Sequence, residues 1–93
     1  MMASMKLTVE ISMYPLDADY KPAIKAFVLK LRDYSELEII TSQMSTQVRG
    51  EFDVVTTAVN ACMKEAMANK AKVVFVTKWL NGDLEIGEPP EID

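Results

Sequence analysis

The 93-residue sequence predicts an α+β sandwich with the element order βαββαβ, and three observations carry that prediction. Residues 7–13 alternate apolar and polar with a period of two. Residues 20–34 and 53–69 place apolar side chains at helical spacing. Three short strand patterns, 37–41, 44–49 and 72–80, complete the order, so each helix pattern stands between strand patterns. Such an order in under a hundred residues matches the split βαβ, ferredoxin-like arrangement. It implies an antiparallel four-stranded sheet ordered 4-1-3-2 with two helices on one face.

In the first strand Leu7, Val9, Ile11 and Met13 form the buried parity, opposite Thr8, Glu10, Ser12 and Tyr14. Pro15 and Asp17 break the pattern. Asp19 is the expected N-cap of helix one, with Pro22 in its first turn and Ile24, Phe27, Val28 and Leu31 as its apolar stripe. Leu37 to Thr41 reads as strand two, and Ser42-Gln43 as a tight connection into strand three, Met44 to Arg49. There Met44, Thr46 and Val48 suit the buried parity, and Gly50 ends the strand. Helix two is expected from near Asp53 to Asn69, with Val55, Val59, Cys62 and Ala66, and with Met63 and Met67, on its stripe. Ala58 and Ala61 permit close approach, and the methionines read as core filler. Strand four, Lys72 to Leu80, is apolar on both parities, which implies burial on both faces. Val74, Val76 and Ile40 are the candidates for the second face. Trp79 reads as an interface or core aromatic. Asn81-Gly82-Asp83 is a turn signal, after which Leu84 to Ile86 could fold back briefly.

Length and charge bound the rest. Residues 1–93 make a single domain, with an ordered core about 6–84 and an acidic tail 85–93. A chain of this size buries roughly 60–65% of its unfolded surface, so a partner subunit would help. A homo-oligomer, dimer or tetramer, is therefore expected. The formal charge of −4, with no extended basic cluster, disfavours a nucleic-acid partner. The lone cysteine, Cys62, reads as a small buried hydrophobe in a reducing compartment. Met1 to Met5 lack a signal-peptide pattern, and no run approaches the roughly 20 apolar residues of a membrane span. The expectation is a cytoplasmic protein that is not membrane-embedded.

Strands one and three are antiparallel neighbours in this topology, so Ser12 and Tyr14 come near Ser45, and Glu10 near Gln47, on the face away from the helices. Two hydroxyls, a phenol, an amide and a carboxylate then converge on one patch. That patch is either a small-molecule site or an ordinary solvated sheet face. With no histidine in the chain, Ser-His-Asp and Cys-His catalysis is excluded and metal catalysis disfavoured. Gly50, Gly82 and Gly87 make neither of the usual nucleotide cradles, and strand three carries no aromatics to stack RNA bases. Glu10 lacks a second activated group and could equally pair with Arg49 or Lys78. Binding without catalysis, no metal and no cofactor are expected.

Three segments carry a resemblance: Glu10-Ile11-Ser12-Met13-Tyr14-Pro15-Leu16; Met44-Ser45-Thr46-Gln47-Val48-Arg49-Gly50 with Glu51-Phe52-Asp53; and Val74 to Trp79 running into Leu80-Asn81-Gly82-Asp83. Together they resemble the YkoF-like thiamine- and hydroxymethylpyrimidine-binding family over nearly residues 6 to 84. The resemblance implies a ferredoxin-like fold and a soluble carrier or sensor for thiamine or its pyrimidine moiety, linked in some bacteria to vitamin salvage and its membrane transporter. It carries Ser12, Tyr14, Ser45, Thr46 and Gln47 over as ligand-binding residues, to which strand geometry adds Glu10. The family prototype holds two copies of the unit in one chain, and self-association would restore that pairing here. The alternative is an oligomeric regulatory or structural subunit without a small-molecule ligand.

Overall fold

A computed structural model describes residues 5–69 and 72–92; residues 1–4, 70, 71 and 93 lie outside it, and with them most of the Met1 to Met5 segment and the last residue of the acidic tail. The elements are β1 (Lys6–Pro15), α1 (Lys21–Arg32), β2 (Glu38–Thr41), β3 (Thr46–Glu51), α2 (Phe52–Ala68) and β4 (Val73–Leu80). They form the expected antiparallel sheet, ordered β2-β3-β1-β4, in a ferredoxin-like α+β fold. In register, Val9 stands opposite Val48 on one side and Trp79 on the other, and Glu10 opposite Gln47 and Lys78. Because side chains alternate along a strand, that register decides which residues share a face.

The helix-side face holds the core. Leu7, Val9, Ile11 and Val48 of the sheet pack with Phe27, Val28 and Leu31 of α1 and Val55, Ala58, Val59 and Cys62 of α2. Each large apolar side chain removed from water here contributes about 1.5–3 kcal/mol, which is what selects this register over a slipped one. Phe27 meets Phe75 across the α1–β4 seam with ring centroids 5.1 Å apart. Gly50 belongs to this face too: a β-carbon there would come 2.7 Å from Leu37 Cδ2, so the missing side chain lets the approach to β2 close over the core. Burial and nearby Glu65 push the Cys62 thiol above its ordinary range.

Several boundaries differ from expectation, each for a local reason. Tyr20, not Asp19, is the N-cap of α1, and no side chain caps it. The Asp19 backbone N–H instead donates to Asp17 Oδ1, an Asx turn that satisfies the backbone before the helix begins. β3 begins at Thr46, because Ser42 to Ser45 form a turn: Ser42 N–H donates to the Ser45 carbonyl, while Ser42 Oγ accepts from the N–H groups of Met44 and Ser45. Met44 therefore stands at the turn tip, 86% exposed, and the buried parity expected of it stops at the turn. β3 also continues past Gly50 to Glu51, where α2 begins directly. Met67 is exposed on the outer side of α2. Strand four is not buried on both faces within one chain: Val74 and Val76 lie in the open on the side away from the helices.

Candidate functional site

The sheet divides the six candidate residues. Glu10, Ser12 and Gln47 lie on the open face, where Glu10 Oε1 is 3.4 Å from Lys78 Nζ and Glu10 Oε2 accepts a 3.0 Å hydrogen bond from Ser45 Oγ. The ion pair thus goes to Lys78. Thr46 points to the helix side, where it is 5% exposed and its hydroxyl lies 3.3 Å from that of Thr41. Ser45, just before β3, and Tyr14, near the end of β1, lie at the same end of the sheet.

On the helix side these ends enclose a cavity of about 460 Å³, within the range of small-molecule sites. Ile11 and Thr46 from the sheet and Ile24 and Phe27 from α1 make its depth. Tyr14, Tyr20, Met44 and Ser45 stand at its rim. The lining is apolar with a few hydroxyls, and the Thr46 hydroxyl can make one bond to Thr41 and still offer capacity inward. The strand-parity argument looked only at the open face. It therefore left out Ile24 and Phe27, whose helical stripe was read entirely as core, and Tyr20, the residue just before α1.

The open face carries a second feature. Arg49, on β3, is ringed by carboxylates: its Nε lies 3.2 Å from Glu38 Oε1 and 3.0 Å from Asp83 Oδ1, and its Nη1 lies 2.9 Å from Glu85 Oε1. Nη1 also donates to the Leu84 carbonyl at 2.5 Å. The bond to Glu85 holds the guanidinium above its ordinary pKa; partial desolvation opposes it, and the charges of Asp83, Glu85 and Glu38 add to it. Thr8 completes the clamp by donating to the Gly82 carbonyl at 2.8 Å and accepting from the Leu84 N–H at 3.2 Å. Instead of pairing as a strand, the segment after β4 is thereby turned across β3 and β2. Leu84, Ile86 and Pro89 cover Gln47 and Ile40, with a cavity of about 720 Å³ between segment and sheet. Thr8 and Arg49 are on the predicted face, but they hold this segment.

At the opposite end of the same face Tyr14, Val74 and Val76 remain exposed. The open face therefore has a clamped end, a polar middle and an apolar end.

The family model described as the YKOF-related family matches residues 6–90, nearly the whole chain and most of the folded-back segment. The chain belongs to the YKOF-related family. Three solved structures share the fold. The chain superimposes on a protein from Streptococcus pneumoniae with a TM-score of 0.79 at 21% identity, over 89% of this chain and 94% of that one. For a hypothetical protein of Methanocaldococcus jannaschii the TM-score is 0.74 at 22% identity, covering 84% of this chain and 81% of that one. A candidate thiamine biosynthesis/salvage protein of Thermotoga maritima gives 0.71 at 20% identity, over 91% and 89% of the two chains. Among curated proteins, none matches. In the described residues no helix is long and apolar enough to cross a membrane.

Proposed function

We propose that this member of the YKOF-related family binds thiamine or its hydroxymethylpyrimidine moiety without catalysis, as a soluble carrier or sensor in vitamin salvage. The observation that carries the reading is the cavity between α1 and the sheet, mostly apolar, with the Thr46 hydroxyl at its depth and Ser45 at its rim. An aminopyrimidine presents ring-nitrogen acceptors and an exocyclic amine donor, which hydroxyls in a partly buried site can satisfy. Tyr14 at the rim can lie against the ring or, for thiamine, attract the thiazolium by about 0.5–2 kcal/mol. Glu10 acts from behind the strand by holding the Ser45 hydroxyl, with Ser12 beside it and Gln47 across from it. Further support is the thiamine role suggested for the Thermotoga maritima relative.

A second reading is favoured by the exposed patch of Tyr14, Val74 and Val76: the chain is a homo-oligomer, dimer or tetramer, with regulation or assembly as its task. Under both readings the protein acts in the cytoplasm, and under the first its partner in the salvage route is a vitamin transporter. A thermal-shift screen with thiamine, hydroxymethylpyrimidine and unrelated pyrimidines separates them. At 100 times its dissociation constant a ligand stabilises the fold by about 2.7 kcal/mol. Absence of any shift with thiamine and hydroxymethylpyrimidine would leave only the assembly reading.

A further inference from the structure

The cavity does not end at its rim. Tyr20, Ile24, Thr41, Ser42 and Gln43 line it and also line a shallow groove of about 790 Å³ that runs on between α1 and the β2 edge. Along that groove α1 presents Lys21, Lys25 and Arg32, spaced so that all three fall on one side of the helix. All three are exposed, and none makes an ion pair within the described residues. Elsewhere among the described residues Lys6, Lys30, Arg49 and Lys78 each have a carboxylate partner, whereas Lys64 and Lys72 stand apart from one another and from the groove. The first turn of α1 contains no acid and its N-cap makes no side-chain bond; the nearest carboxylates in sequence, Asp17 and Asp19, belong to the turn before the helix.

We infer that the groove is an anion subsite and that the ligand of this protein is a phosphate ester, with its heteroaromatic ring in the cavity and its phosphate along Lys21, Lys25 and Arg32. The inference rests on the proposed pyrimidine site and specifies its ligand class. A bare thiazolium entering by this route would meet three like charges. A phosphorylated hydroxymethyl arm meets them as counter-charges. Solvent-exposed cations each add little, but three acting on one dianion within a Debye length sum to a measurable preference.

The test is calorimetric titration of the full chain with hydroxymethylpyrimidine and with its phosphate monoester, at low and at high salt. The ester is expected to bind about tenfold more tightly at low salt, and the advantage to shrink as salt rises. In K21Q/K25Q, and separately in Arg32→Gln, the ester's advantage is expected to fall, while the distant Lys64→Gln retains it. Thermal melts establish that each variant is folded. If the alcohol binds and the ester binds no better, the anion subsite is overturned and the pyrimidine site stands. If the ester's advantage survives in both groove variants, its phosphate lies elsewhere and the assignment is overturned. If neither compound binds, both the subsite and the pyrimidine reading fall.

Discussion

The two faces of the sheet are built from the same four strands, yet they are held by different physics. On the helix side, burial decides everything: Val9, Ile11, Val48 and Leu31 are inaccessible to solvent, and the cavity lies between the start of α1, the end of β1 and the turn before β3. On the open side, charge and hydrogen bonds decide. Arg49 and Thr8 pin residues 82–85 across one end, Glu10 joins Ser45 and Lys78 in the middle, and the far end is bare. A polar stripe on a strand is thus not one site. It can be a clamp at Thr8 and an ion pair two residues away at Glu10.

The comparison breaks most visibly through stability. Leu31→Ala is expected to cost about 2–5 kcal/mol in urea unfolding, whereas Val76→Ala on the open face should stay within about 0.5 kcal/mol. Equal losses would mean that the open face is as buried as the core, which points to an interface that survives into the unfolding transition. The second effect is assembly. Lysine at both Val74 and Val76 should shift sedimentation toward monomer, and a parent chain that is wholly monomeric at micromolar concentration would contradict the role given to this patch. A third effect is local. Arg49→Ala leaves Glu38, Asp83 and Glu85 facing one another without their shared cation, so amide exchange should speed up in residues 83–91 and not in α2.

Much of this was legible in the sequence, and the reasons it was legible show where it stopped. The period-two pattern of residues 7–13 and the helical stripes fixed the sheet order and the helix-side core, because both signals report burial on one face. The same parity placed Glu10, Ser12, Gln47 and Arg49 on the open face correctly. What parity does not carry is what covers a face. The clamp depends on Arg49 meeting Asp83 and Glu85, contacts across more than thirty residues that no local pattern announces. The cavity depends on a turn: Ser42 takes the N–H groups of Met44 and Ser45, so the chain leaves the ladder and opens a gap that a continuous strand from Met44 would have filled.

The smallest effect is on pH. Burial raises the Cys62 thiol, so the folded state holds its proton more tightly than the unfolded state does. Its contribution to stability is complete below the ordinary thiol range and is lost as pH rises through that range toward the folded value. Melting temperature should therefore decline slightly more steeply in alkali for the parent than for Cys62→Ala, and iodoacetamide should label the native thiol slowly.

The central claim is that the ligand sits on the helix side of the sheet, and Thr46 and Gln47 test it most directly, being adjacent in β3 and on opposite faces. Titration of Thr46→Val and Gln47→Ala with hydroxymethylpyrimidine, its phosphate ester and thiamine reads the difference. For whichever of these the parent binds, Thr46→Val should lose affinity by about 1–3 kcal/mol and by more than Gln47→Ala does. A larger loss in Gln47→Ala would put the ligand on the open face, beneath the folded-back segment, and would contradict the account.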